Sequence, residues 1–138
     1  MARILALQGK GNSGKTTTIN MLPALLLSAG YRQVPGMHKP YGYDFMDIFE
    51  KGGKRVGLTS AGDTYDAVHE RLKDLLAASC DVCVCACRTR DNGTHGTNAA
   101  VHSFPGNTNE FMQKSYETIV VRQPIVNDLD AHSMFNLI

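Results

Sequence analysis

A glycine-rich segment, residues 9–14, joins an apolar run to a helix-like stretch near the start of this 138-residue chain. The apolar run, residues 3–8, predicts a strand. Residues 14–29 predict a helix, which Pro23 should kink or break because proline removes a backbone donor and clashes with the preceding turn. Since glycine adopts positive φ without strain, the segment between them predicts a tight turn from a buried strand into a packed helix.

Apolar runs and helix-like stretches alternate along the rest of the chain. This alternation predicts an α/β fold, with a single domain over residues 1–138, three layers, about five mostly parallel strands, and helices on both faces of the sheet. Further strands are predicted at residues 31–37, 54–60, 81–87 and 118–121, and further helices at residues 43–51, 64–79, 110–116 and 128–138.

The glycine-rich turn fits the pattern G-x-x-x-x-G-K-[ST] without a mismatch. Backbone N–H groups of such a loop converge on a β-phosphate, and the helix that follows adds further unpaired N–H groups. The lysine can reach between the β- and γ-phosphates, and the threonine hydroxyl can ligate Mg²⁺. The predicted binding residues are Gly9, Lys10, Gly11, Asn12, Ser13, Gly14, Lys15, Thr16 and Thr17.

With a strand before it and a helix after it, this motif resembles the phosphate-binding loop of P-loop NTPases. The resemblance implies a P-loop NTPase fold and a site for a nucleoside triphosphate with Mg²⁺. Only one short strand and one helix are predicted between the loop helix and the third strand. That spacing resembles the kinase–GTPase division of the superfamily, whereas the other division inserts an extra strand and carries a catalytic glutamate.

Two details of the motif bear on assembly and on the base. Lys10 followed by Gly11 resembles the K-G-G-x-G-K-T-T variant of partition and nitrogenase-type ATPases, which implies a homodimer whose Lys10 contacts the partner's nucleotide. Asn12 replaces the second glycine of that variant, so the alternative is a solvated Lys10. The chain has no N-K-x-D guanine-reading motif, and Asn127 followed by Asp128 matches it only in part. ATP is therefore favoured over GTP.

A magnesium–triphosphate site usually needs a carboxylate near the end of a strand beside the loop strand. The third predicted strand contains no acidic residue, and the nearest candidate is Asp63, just after Gly62. Its place resembles the switch region of GTPases and partition-type ATPases, which implies that Asp63 and Thr16 hold the metal. Asp63 is also predicted as the N-cap of the following helix. Asp44 and Asp47 are the alternative metal ligands.

Polar residues follow the fourth predicted strand, at the sheet edge where ligands of open parallel sheets bind. Arg88 and Arg90 open a polar stretch, residues 88–103, that predicts a functional or mobile loop. An arginine at a transferring phosphoryl group contributes roughly 10³–10⁵ in rate, so both are candidate catalytic residues beside Lys15 and Asp63. His95 lies in the same stretch, and a loop histidine of this kind is more often solvated than catalytic.

Cys80, Cys83, Cys85 and Cys87 lie within eight residues. The last three alternate along the fourth predicted strand, so they share one face, with the outer pair about 13 Å apart. One tetrahedral metal with sulfur bonds of roughly 2.3 Å cannot gather all three. Buried cysteine packs as a small hydrophobic residue, so the pattern favours a structural role in the core over a metal or redox role.

The net charge and the apolar runs argue against nucleic acid and membrane as binding partners. Lysine and arginine number 14 against 13 acidic residues, a net charge of +1 that lacks the excess of positive charge on which duplex binding depends. The sequence also shows no polybasic membrane anchor, and no apolar run approaches the roughly 18 residues that span a bilayer. Neither a signal peptide nor a disulfide framework is visible, so the expected location is the cytoplasm.

Three functions fit these patterns. The leading interpretation is an ATP-binding, Mg²⁺-dependent nucleoside-triphosphate hydrolase, in which Lys15 stabilises the developing charge and an arginine completes the site. The second is a small-molecule or nucleotide kinase, with Asp44 or Asp63 activating the acceptor. The third is a nucleotide-sensing module without turnover, whose polar loop orders around a protein partner.

Overall fold

The structure is a computed structural model that describes residues 1–90 and 96–138. Within these residues the fold is α/β, with a mixed sheet of seven strands. The strands are β1 Arg3–Gln8, β2 Arg32–Gln33, β3 Lys39–Tyr41, β4 Asp44–Lys51, β5 Lys54–Thr59, β6 Val82–Cys87 and β7 Thr108–Gln113. The helices are α1 Lys15–Asn20, α2 Leu22–Ser28, α3 Tyr65–Ala77, α4 Thr97–His102 and α5 Gln123–Leu137, with a 3₁₀ turn at Val120–Arg122.

Four of the strands, in the order β5, β6, β1 and β7, pair in parallel, and the remaining three are antiparallel. β4 pairs antiparallel with β5, and both β2 and β3 pair antiparallel with β4. The prediction of about five mostly parallel strands is therefore corrected to a mixed sheet of seven. The predicted strands at β1, β5 and β6 are confirmed.

The largest correction concerns residues 43–51, which form strand β4 instead of the predicted helix. Gly52 and Gly53 close the β4–β5 hairpin, with Lys51 opposite Lys54. Both glycines have positive φ, +54° and +81°, which is the conformation that two-residue hairpin turns require. The turn thus joins β4 directly to β5, and the segment predicted as a helix is the first strand of this hairpin.

Two further predictions near the C-terminus are wrong. Residues 108–113 form strand β7, although a helix was predicted at residues 110–116, because they pair in parallel along the full length of β1. Residues 118–121 do not form the predicted strand, and Val120–Arg122 forms a 3₁₀ turn instead. The last helix is confirmed but begins at Gln123, with proline in its first turn, a position where the missing N–H costs nothing.

Helices cover both faces of the sheet, as predicted. Alternate residues of β1 point to opposite sides: Ile4 packs with α3 and α4, whereas Leu5 packs with α1, α2 and α5. Pro23 lies in the first turn of α2, and the predicted break separates α1 from α2 at Met21. No described helix is long and apolar enough to cross a membrane.

The cysteines lie in the core, as the alternation along β6 predicts. Cys83, Cys85 and Cys87 are fully buried on the α3–α4 face of the sheet, and Cys80 is buried with them. Burial raises the pKa of the Cys85 thiol well above its ordinary value, because the thiolate would lose its hydration. These thiols pack as small apolar groups.

Candidate functional site

The loop after β1 lies where the carboxyl ends of β6, β1 and β7 meet. The amide of Gly9 donates to the Cys87 carbonyl at the end of β6, and the amide of Lys114 donates to the Gln8 carbonyl. The loop is thereby held between the two strands that flank β1. Ligands of open parallel sheets bind at this edge.

Two residues of the loop have left-handed backbone conformations. Gly14, at the start of α1, has φ +92°, and Asn12 has φ +59°. Asparagine tolerates this region better than most side chains, so Asn12 can occupy a position where the variant motif has glycine. Gly14 is also closely packed, since a Cβ built on it would lie 2.5 Å from Oδ1 of Asn127.

Lys15 folds back over the loop. Its Nζ donates to the carbonyl oxygens of Gly9 and Lys10, at 2.8 Å each, and the residue is buried. Burial lowers the pKa of Lys15, and the nearby positive charge of Arg88 lowers it further. A polyanion bound beside Lys15 would raise this pKa again, because its negative charge stabilises the protonated ammonium.

A cavity of about 390 Å³ opens beside the loop. Ser13 lines it, and the hydroxyl oxygen of this residue is buried without a hydrogen-bond partner among the described residues. A buried hydroxyl of this kind is unusual in a folded protein. The cavity is lined by Asn12, Ser13, Gly14, Lys15, Thr16, Thr17, Ser60, Gly62, Asp63, Ser115, Glu117, Gln123, Val126 and Asn127.

Asp63 lies at the mouth of this cavity, after β5. Its Oδ1 accepts a hydrogen bond of 3.2 Å from Arg88, and its side chain is 72% exposed. It is not the N-cap that was predicted, because the Thr64 hydroxyl accepts from the amide of Ala67 and caps α3. Gly62 permits the close passage of this segment over β6, since a Cβ there would lie 2.6 Å from that of Ala86.

The two alternative acids lie in different surroundings. Asp44 accepts a hydrogen bond of 3.0 Å from the hydroxyl of Ser60, a residue that lines the cavity. Asp47 lies farther along β4, buried and hydrogen-bonded to Gln33 and His38, and it is absent from the cavity lining. Of the three predicted acids, Asp63 lines the cavity and Asp44 contacts a residue that lines it; Glu117, which the sequence patterns did not indicate, also lines the cavity. No three His, Cys, Asp or Glu side chains group as a metal cluster anywhere in residues 1–90 and 96–138.

The remaining predicted residues divide between the two sides of the loop. Thr16 and Thr17 line the cavity just described. A second space, of about 530 Å³, is lined instead by Gly9, Lys10, Gly11, Arg88 and Arg90. There the Nζ of Lys10 lies 3.5 Å from the centre of the Tyr116 ring. The cross-subunit role of Lys10 stays a prediction. His95 lies outside the described residues.

Sequence reasoning missed the part of the site that comes from the C-terminal third of the chain. Lys114 and Asp130 form a buried ion pair of 2.8 Å, and Asp130 also accepts from the amide and the hydroxyl of Ser115. These bonds fix the segment that follows β7 against α5 and bring Ser115 to the cavity. No local motif marks these residues, since the contact joins positions far apart in sequence.

The order of the strands separates β5 from the loop strand β1. β6 lies between β1 and β5, so the strand that leads to Asp63 is not a neighbour of the loop strand. Asp63 nevertheless reaches the cavity, because its segment crosses the end of β6 and pairs with Arg88 there.

Comparisons with protein-family models, with curated proteins and with solved structures found no match to this chain. What the site can do therefore follows from its own residues.

Replacing Gly14 by alanine tests the packing of the loop. Gly14→Ala adds a methyl group at positive φ and against Asn127, whereas Gly36→Ala adds it at φ +77° with no atom within 4 Å. Both variants carry the backbone strain, but only Gly14→Ala also carries overpacking, which costs about 1–3 kcal/mol. Urea unfolding should therefore show Gly14→Ala to be the less stable variant by that amount. Equal stabilities would contradict the tight contact with Asn127.

Proposed function

We propose that this chain binds a nucleoside triphosphate, with ATP favoured, and hydrolyses it in a Mg²⁺-dependent reaction. One observation carries the proposal: the loop of residues 9–16 follows a central strand, holds Lys15 over its own carbonyl groups, and borders a cavity lined by residues 12–17. A glycine-rich loop with a lysine at a sheet edge suits a polyphosphate.

The proposal includes the P-loop NTPase fold. A strand, the loop and a helix follow one another in the order that the motif requires, and helices cover both faces of the sheet. The position of β6 between β1 and β5 does not favour the kinase–GTPase division, because an inserted strand is typical of the other division. Membership of the superfamily, and of either division, is thus a proposal that depends on the loop.

The residues present fit a triphosphate with its metal. The Lys15 ammonium and the loop amides would bind the phosphate oxygens, while Thr16 and Asp63 are the groups that would hold Mg²⁺, a cation that takes one or two protein oxygens beside the phosphates. When bound, Mg²⁺ would neutralise charge on the phosphate oxygens. In hydrolysis, a water oxygen bonds to the γ-phosphorus and the bond to the β–γ bridging oxygen breaks, so that ADP leaves with the bonding electrons and the water proton passes to the phosphate or to solvent. Lys15 would stabilise the charge that develops on the bridging oxygen.

Arg88 is the better placed of the two candidate arginines. Its amide donates to the Thr97 hydroxyl, which fixes the backbone, and its guanidinium pairs with Asp63. Its Nε is buried without a hydrogen-bond partner within the described part of the chain. Binding of metal and phosphate would separate the pair, since the metal takes the carboxylate and the phosphate takes the guanidinium. Both arginines line the 530 Å³ space, but Arg90 is exposed, whereas Arg88 reaches the 390 Å³ cavity through its pair with Asp63.

Release of inorganic phosphate from ATP by the purified chain tests the proposal. Turnover should require Mg²⁺ and should not increase when nucleosides, nucleotides or sugars are added. ADP formation that rises well above the background only with one of these acceptors would indicate the kinase alternative instead. Binding of ATP without any phosphate release would contradict hydrolysis.

Asp63→Asn should weaken the response to the metal. The substitution removes a charged oxygen ligand while keeping the shape of the side chain, so the Mg²⁺ concentration for half-maximal turnover should rise by about tenfold or more. Stability should change little, because the Asp63–Arg88 pair is exposed. Asp66→Asn, an exposed acid in the first turn of α3, is the matched control. An unchanged Mg²⁺ requirement in Asp63→Asn would shift the assignment to Asp44 or Glu117.

A further inference from the structure

A third cavity, of about 370 Å³, lies on the antiparallel side of the sheet. Its walls are mainly apolar and include Leu27 of α2 and the two phenylalanines Phe45 and Phe49 of β4. Polar side chains also line it, among them Asn20, Gln33, His38 and Asp47. An apolar cavity with a few converging polar groups is the usual form of a small-molecule site.

Asp47 organises the polar side of this cavity. It lies between Phe45 and Phe49 on the same face of β4, and its side chain is only 4% exposed. Its Oδ2 accepts from Nε2 of Gln33 at 2.6 Å and contacts Nδ1 of His38 at 3.0 Å, and its Oδ1 accepts from the amide of Ile48 at 2.9 Å. Both oxygens thus act as acceptors, as in an ionised carboxylate.

This arrangement fixes the tautomer of His38. Because the oxygen of Asp47 can only accept, the proton must be on Nδ1 of the ring, and Nε2 of the neutral ring is left as an acceptor. In the described residues, 1–90 and 96–138, Nε2 has no hydrogen-bond partner. The imidazole is half exposed and stacks on Phe45, with ring centres 6.3 Å apart. The cavity therefore offers one oriented acceptor beside aromatic walls.

We propose that this cavity binds a small, uncharged aromatic molecule that carries a hydroxyl group. The aromatic ring packs against Phe45 and Phe49, and the hydroxyl donates its hydrogen to Nε2 of His38. Among the described residues that line the cavity, Asp47 is the only charged side chain apart from His38 in its protonated form, and none is a lysine or an arginine. Phosphate-bearing ligands are thereby disfavoured, so this site differs in chemistry from the loop and does not depend on the proposed function.

Phenol and anisole are a matched pair of probes, because anisole has the same ring but lacks the hydroxyl hydrogen. Titration of the full chain by ¹H–¹⁵N NMR should show saturable shifts with phenol at the amides of His38 and residues 45–49, and at least about tenfold weaker binding of anisole, as expected for one hydrogen bond. Equal affinities, or no shifts at these amides, would overturn the proposal. Lys15→Ala should leave phenol binding unchanged, which separates this site from the nucleotide site.

Two substitutions test the roles of His38 and Asp47. His38→Phe keeps a ring at this position and removes the acceptor, so phenol should lose its advantage over anisole. Asp47→Asn keeps the shape of the carboxylate, but its amide can donate to Nδ1 and so move the ring proton to Nε2. Acetophenone, which can only accept, should then bind more tightly than phenol. Retention of the phenol preference in both variants would contradict the assigned hydrogen bond.

Discussion

Lys15→Ala should reduce Mg²⁺-dependent phosphate release from ATP by at least about 100-fold. The loop holds the Lys15 ammonium over its own carbonyl groups. Removing a preorganised group that stabilises the charge of the transition state lowers the rate by about 100-fold or more. The affinity for ATP should fall as well, since the phosphates lose a charged partner. The quantities to measure are kcat by phosphate release and Kd by calorimetry.

Lys39→Ala is a suitable control for this variant, because Lys39 is exposed on β3, away from the loop. It removes the same charge and should leave turnover unchanged. Circular dichroism should show that Lys15→Ala folds, although two carbonyl groups lose their donor at a cost of about 1–3 kcal/mol. Turnover in a folded Lys15→Ala variant equal to that of the unmodified chain would contradict the role of Lys15.

Lys114→Met should destabilise the protein by about 3–5 kcal/mol. The Lys114 side chain is fully buried against Asp130, and loss of one partner leaves an uncompensated carboxylate in the interior. The same carboxylate holds Ser115 at the cavity, so ATP binding should weaken in parallel. Urea unfolding at neutral pH measures the change in the free energy of unfolding.

A double variant separates the ion pair from packing. Lys114→Met combined with Asp130→Asn removes both charges, so its cost should be smaller than the sum of the single costs. Lys73→Met, at an exposed position of α3, should change stability by no more than about 0.5 kcal/mol. Additive costs in the double variant would show that the two side chains do not stabilise each other.

The sequence was most informative where structure is local. The strand, the glycine turn and the lysine of the loop lie within fifteen consecutive positions, Met1 to Lys15, and their types follow from hydrophobic pattern and backbone freedom alone. The same holds for β6, whose apolar run is buried on both faces. In both places local preference and tertiary burial agree, which is why the expectations there are confirmed.

The hairpin of β4 and β5 shows where the pattern was ambiguous. Along β4, Met46 and Ile48 pack on one face of the sheet while Phe45 and Phe49 pack on the other. A strand that is buried on both sides has no polar alternation, so its periodicity can be read as that of a helix. The glycine pair at residues 52–53 is the hairpin signal that this segment carries.

The errors after residue 103 have a different cause. The segment Thr108–Gln113 includes the good helix formers Glu110 and Met112, but pairing with β1 holds it in a strand, so tertiary contact overrides local preference. The contributions of Asn127 and Asp130 likewise depend on how α5 lies against the loop and β7. No signal within a short window of sequence reports such contacts.

Titration of the unmodified chain with ATP and with AMP, by calorimetry in the presence of Mg²⁺, tests most directly whether residues 9–16 bind a polyphosphate. The account predicts saturable binding of ATP at one site per chain and AMP binding weaker by at least about 100-fold, because the loop contacts the β- and γ-phosphates and not the α-phosphate alone. Equal affinity for the two nucleotides, or binding of neither, would contradict a phosphate-binding loop in this chain.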